Sequence, residues 1–257
     1  MTFRTAIRKE PTLSRILFLT VTIIAIGTAY AGPVWGTADL TVESMYLWRG
    51  IVSVDAPVLQ PWAAFGTGGF SVTGWGSMEH SDENYCGEEE GYASGEFTEF
   101  DLILDYTHDF GPAWVYAGFG KYWYPNTGFA STSEIYLSGG PNVVLSPTLN
   151  IVADIEEVNG VYASLSAAHS IPVCCTSADL SLGIGYGNAD HNAWYYGTDK
   201  GALADLTLGA AFPFALPAGL TVTPTAELST LLDSEIKDLM QDDTNFRGGL
   251  SVTWNFL

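Results

Sequence analysis

The sequence predicts an all-β protein: a transmembrane, antiparallel, up-and-down β-barrel of about twelve strands behind a cleaved signal peptide. Three observations point there. Segments of about ten residues alternate apolar and polar side chains along most of the chain. Carboxylates recur opposite the apolar rows rather than within them. Long and short connections follow one another in turn, as they do in outer-membrane barrels.

Composition agrees. The 257 residues carry a formal net charge of -20, with 13% aromatic residues and 28 glycines, yet the mean hydropathy is +0.16. That mixture suits a barrel with an apolar exterior. Beyond residue 31 the cations are Arg49, Lys121, Lys200, Lys237 and Arg247. So acidic a balance excludes nucleic acid as a partner.

The first thirty-one residues read as a signal peptide. Arg4, Arg8, Lys9 and Arg15 form a basic start, Ile16 to Ile26 is a short apolar run, and Ala29-Tyr30-Ala31 is a small-x-small cleavage site. The run is too short to span a bilayer comfortably, so cleavage after Ala31 is expected, leaving 32–257 as one barrel domain.

The first strand is expected from Gly36 to Arg49, with Asp39, Glu43 and Arg49 opposite Leu40, Val42, Tyr46 and Trp48. Strands near Val58–Phe65 and Phe70–Met78 follow, and Pro61 implies a bulge or strand end. The acidic stretch 79–95, with Glu88, Glu89 and Glu90 in a row, reads as a solvated loop; it lacks calcium-loop spacing.

Phe97–Asp109 is the clearest strand. Glu99, Asp101, Ile103 and Asp105 share one side; Phe100, Leu102, Leu104 and Tyr106 share the other. A tight turn at 110–113 leads to Trp114–Tyr124, whose many aromatics leave its faces unassigned. After a loop at 125–131, Glu134 alternates with Ile135 and Leu137. Thr148–Glu156 sets Asn150, Asp154 and Glu156 against Leu149, Ile151 and Ile155.

Asn159-Gly160 signals a hairpin. Val161, Ala163, Leu165 and Ala167 form the next apolar row, and Leu180, Leu182, Ile184 and Tyr186 the one after, with Asp179 opposed. A loop at 188–201 precedes a strand with Ala204, Leu206, Leu208, Ala210 and Phe212 opposite Asp205 and Thr207. Leu220, Val222 and Leu228 oppose Glu227, and an acidic loop at 231–244 leads to the last strand. There Arg247 opposes Leu250, Val252, Trp254 and Phe256.

Magnitudes fix the facing. A cation on the lipid side costs about 2–4 kcal/mol at mid-depth and a carboxylate somewhat less, against a net stability of roughly 5–15 kcal/mol. The acids Asp39, Glu43, Glu99, Asp101, Asp105, Glu134, Asp154, Glu156, Asp179, Asp205 and Glu227 are therefore expected to line a wet lumen. Arg49 and Arg247 join them, expected close together near the seam of first and last strands, among carboxylates such as Glu43 or Glu227.

Ser44-Met-Tyr-Leu-Trp-Arg-Gly-Ile51, followed by Gln60-Pro61, resembles the TorF-type porins, small exported bacterial barrels with a similar aromatic-Arg-Gly-Ile/Val pattern. Glu99-Phe-Asp-Leu, Ser133-Glu-Ile-Tyr, Leu145-Ser-Pro and Gly160-Val-Tyr-Ala-Ser-Leu extend the likeness. The resemblance implies an outer-membrane location and a pore role, without assigning a substrate or functional residues. Such barrels usually end on an aromatic residue, whereas Leu257 follows Phe256 here.

The favoured function is a passive pore for small solutes or ions, with outer-membrane lipids around it and cations preferred in its lumen. The outer-membrane assembly machinery is expected to engage the last strand. A barrel plugged by its own side chains is the alternative. An outer-membrane hydrolase ranks below both: His80, His108, His169 and His191 meet no Gly-x-Ser-x-Gly elbow. No cofactor or metal is expected. Cys86, Cys174 and Cys175 lack metal-ligand spacing; a vicinal disulfide between the last two is strained, and two ordinary turn residues are the simpler reading.

Overall fold

The computed structural model describes residues 32–80 and 94–257. The signal peptide, its cleavage after Ala31, Cys86 and the Glu88–Glu90 run lie outside the described residues. The barrel strands are β1 (Val34–Glu43), β2 (Val58–Thr67), β3 (Phe70–Glu79), β4 (Phe97–Asp109), β5 (Ala113–Trp123) and β6 (Thr132–Pro141). They continue as β7 (Thr148–Asp154), β8 (Val161–Val173), β9 (Thr176–Gly187), β10 (Ala202–Ala211), β11 (Leu220–Leu231) and β12 (Thr244–Asn255). Each pairs antiparallel with its neighbours, and β1 pairs with β12 through Thr37↔Asn255 to Glu43↔Gly249. The result is a closed 12-strand antiparallel barrel.

The two-residue period sorts the side chains. Leu40, Val42, Phe100, Leu102, Ile135, Leu137, Leu180 and Leu182 are exposed on the outer wall, while Asp39, Glu43, Glu99 and Glu134 are buried. An exposed apolar belt this continuous has no place in water and matches a lipid-facing surface. Among the described residues no helix is long and apolar enough to cross a membrane; the strands span it, and the chain is an outer-membrane β-barrel. The unassigned strand β5 is now resolved, with Val115, Phe119 and Trp123 on the exposed face.

Four local expectations are corrected. First, β1 ends at Glu43 rather than Arg49. After Ser44, whose N–H reaches the Gly248 carbonyl at 2.9 Å, the chain leaves the wall and forms a separate hairpin, Tyr46–Trp48 against Ile51–Val54. Arg49 and Gly50 form its two-residue turn with φ of 48° and 81°, the paired positive φ of a type I′ turn.

Second, β2 runs straight through Pro61. The ladder to β3 skips Gln60 and Pro61, then resumes unshifted at Trp62↔Trp75. Third, a bulge between β9 and β10 changes the phase, with Ile184↔Leu206 followed by Tyr186↔Leu203. Ala204 is therefore fully buried beside buried Asp205, and Leu203 takes the exposed position. Fourth, two supposed loops contain helices, α1 (Ala189–Tyr195) and α2 (Ser234–Leu239). Asn188 caps α1 by accepting from the His191 N–H, and Asp233 caps α2 by accepting from Glu235 and Ile236.

Cys174 and Cys175 are exposed free thiols in the two-residue turn between β8 and β9.

Candidate functional site

The hairpin does not project from the barrel; its residues pack inside it. Leu47 and Val54 are buried, and Ile51 packs against a small core of Tyr196, Ala202, Ala204, Leu231 and Ile236. That core joins the loops carrying α1 and α2. Thr198 donates to Glu235 at 2.6 Å and Lys200 pairs with Asp233 at 2.7 Å. This bond, more than the bare charge, holds the half-buried Asp233 carboxyl below its ordinary value.

Gly50 explains how close the tip comes. A side chain there would put its Cβ 2.7 Å from Asp205 Cβ and 3.2 Å from Leu231 Cδ2. Both the left-handed backbone and the lack of space require glycine.

Arg49 is the centre of the contacts. Its Nη1 and Nη2 donate to the two oxygens of Glu134 on β6, each at 3.0 Å. This is the bidentate geometry in which arginine binds carboxylate best. Tyr122 donates to the same carboxylate at 2.9 Å. The guanidinium lies 4.0 Å from the Trp48 ring and 5.0 Å from the Tyr162 ring. The Arg49 carbonyl accepts from the Tyr196 hydroxyl at 2.6 Å. Burial works against the arginine's charge, and Glu134 outweighs it, leaving the guanidinium harder to deprotonate than usual.

Beside the hairpin lies a cavity of about 610 Å³ against β3 to β6, reached by the loops at 124–131 and 155–160. Glu99, Asp101 and Glu134 line it with Tyr46, Trp48, Trp75, Tyr122, Tyr124 and Trp194. Tyr46 is bonded to Glu99. Burial first, then the charges of Glu99 and Asp101, push the Tyr46 hydroxyl well above the ordinary tyrosine value, so it stays a donor.

The other expected residues divide into distinct clusters. Arg247 on β12 binds Glu43 on β1 through Nε at 2.6 Å and Glu227 on β11 through Nη2 at 2.9 Å. The expected carboxylate partners of Arg247 are thus in place, but Arg49 is held by Glu134 on β6 instead of joining it. The barrel seam alone could not have placed Arg49, because its strand position depended on a β1 that ends earlier.

Asp39 accepts from Thr41 and Thr253, both at 2.6 Å. Ser71 donates to Asp105, and Ser170 donates to Asp179 at 2.6 Å. Asp205 accepts from the Tyr162 hydroxyl at 2.8 Å. Asp154 accepts from Thr132 at 2.5 Å and from the backbone N–H groups of Glu156, Val158 and Asn159, so it organises the loop after β7. Asn159 takes a φ of 56° at the end of that loop. Glu156 leaves the expected row. It lies beyond the end of β7 and binds Lys121 at 2.6 Å and Ser133 at 2.7 Å, in the rows that carry exposed Phe119 and Ile135.

Alternation alone missed the aromatic partners Tyr46, Trp48, Tyr162, Tyr195 and Tyr196, along with buried His191. Trp48 and Tyr195 meet with ring centroids 4.9 Å apart. The Asn188 and Asp233 caps were a readable signal of helices in those loops.

No protein-family model matches the sequence, and no curated protein matches it significantly. Among solved structures the barrel is similar to a KdgM porin in complex with disordered oligogalacturonate, with a TM-score of 0.54 at 12% identity, over 86% of this chain and 99% of that one. A second KdgM porin structure gives a TM-score of 0.53 at 13% identity, over 86% and 99% of the two chains. At such identity the likeness establishes the fold alone: a small outer-membrane β-barrel.

Proposed function

We propose that this protein is a porin-like channel of the outer membrane, passing small solutes or ions by passive diffusion and preferring cations. The inner hairpin narrows its lumen, and the inward acids from Asp39 to Glu227, Glu156 apart, line it. One observation carries the preference: Glu99 and Asp101 line the cavity beside the hairpin, while Arg49 and Arg247 are already neutralised by Glu134, Glu43 and Glu227. An interior with carboxylates in excess raises the local concentration of cations and repels anions.

The ligand of the similar KdgM porin does not transfer on this reading. Oligogalacturonate is a polyanion, and this interior has the sign that opposes it. Recognition by the outer-membrane assembly machinery is assigned to β12, where the Phe256 ring beyond its end lies tilted to Trp254 at 5.1 Å and edge-on to Phe65 at 5.5 Å.

The test is a reversal potential across a planar bilayer holding the purified barrel under a potassium chloride gradient. The expected sign is that of potassium permeating faster than chloride, with the preference reduced in Asp101→Asn. A chloride-selective potential in the wild type removes the proposal.

A further inference from the structure

We propose that the cavity between the hairpin and β3 to β6 is a binding site for small organic cations bearing an ammonium or guanidinium group. The inference deepens the channel reading and relies on it for the route by which such molecules arrive.

The walls supply both halves of cation recognition. The rings of Tyr46, Trp48, Trp75 and Tyr122 line the space, with Glu99 and Asp101 among them. Aromatic faces attract organic cations, and carboxylates fix their N–H groups. The volume of about 610 Å³ suits a small molecule rather than a single bare ion.

Unused acceptors point the same way. Glu79 also lines the cavity and is 3% exposed, yet its Oε2 has no hydrogen-bond partner. Asp101 Oδ1 is buried and unpartnered as well. Unpaired buried carboxylate oxygens are costly, and a donor brought by a ligand removes that cost.

The protein also displays the recognition mode with its own side chain. Arg49 forks onto Glu134 while lying on Trp48, and both partners belong to the cavity wall. A neutral sugar leaves the carboxylates uncompensated, and an anion is repelled by them. A hydrated inorganic cation leaves the rings unused.

The experiment uses the whole barrel in detergent and in planar bilayers, with agmatine as the probe and 1,4-butanediol at equal concentration as the neutral comparison. Agmatine is expected to change the tryptophan fluorescence saturably and to interrupt the single-channel current reversibly; butanediol does neither. Asp101→Asn raises the half-saturating concentration about tenfold, the loss of one charge-assisted contact. Glu99→Gln gives the same reading should Asp101→Asn fail to fold, as judged by heat-modifiable gel mobility.

A fluorescence change that is linear in agmatine, equal with butanediol, or unmoved in the folded variant overturns the site. Saturable binding to a barrel that carries no current instead overturns the channel reading and leaves the site standing.

Discussion

His191 is 1% exposed and is packed among the rings of Tyr162, Tyr195 and Tyr196 at 5.3, 4.7 and 5.9 Å. Its Nδ1 lies 3.1 Å from Asn192 Oδ1, while Nε2 has no partner. Burial pushes the imidazole down to about 4, with the nearby Arg49 charge adding to the effect. An unfolded or undocked histidine titrates near 6.5, so it takes up a proton that the docked one refuses. The docking contribution is therefore complete above about pH 6.5 and is lost as pH falls towards about 4. The hydrogen-exchange protection factors of the α1 amides, which take out the intrinsic pH dependence of exchange, are expected to fall across that window in the wild type. In His191→Gln, which cannot titrate, the fall should be much smaller. An equal fall in both proteins would show that another group controls the acid response.

The hairpin can be tested without dismantling the wall, because β1 and β2 pair directly from Val34↔Thr67 to Glu43↔Val58. Replacing residues 45–56 by a short glycine–serine link removes no barrel hydrogen bond between those strands. The barrel is expected to fold, as judged by gel mobility, and to conduct severalfold more current per channel, since cross-section is returned to the lumen. Arg49→Gln is the milder version: it strips Glu134 of its cation and loosens the tip, a change of the kind that costs about 3–5 kcal/mol for a buried pair. Unchanged conductance in both variants would mean that the hairpin does not narrow the path. This element also marks where the sequence stops being legible. The facing of Leu40 against Asp39 or Leu137 against Glu134 follows from a period of two, which is local and strict. Ser44-Met-Tyr-Leu-Trp-Arg keeps that same period, so it reads as more strand; the inward fold depends on Arg49–Glu134 and on Ile51 against the core that includes Ala204 and Leu231, contacts far apart in sequence. Ala204 was misread because the bulge that turns it inward arises from pairing with β9.

At the scale of the whole barrel, the outer wall and the interior are two solvents separated by one strand's thickness. Neighbouring positions on β6 expose the difference. Leu137 is 52% exposed on the outer wall, whereas Ser138 donates across to Asn150 at 2.5 Å on the opposite face of the same strand. Leu137→Lys places a charge in hydrocarbon and is expected to lower stability by about 2–4 kcal/mol. Ser138→Lys places the same charge among hydrated groups, where it can meet a carboxylate. It should leave stability within about 0.5 kcal/mol of the wild type while shifting the reversal potential towards chloride. Urea titration in lipid vesicles reads the first quantity, and the bilayer measurement reads the second. If both lysines cost the same, the interior is as dry as the membrane. The carboxylates from Asp39 to Glu227 then hold a packed plug through the bonds they make to threonine, serine, tyrosine and arginine, and the path for ions is closed.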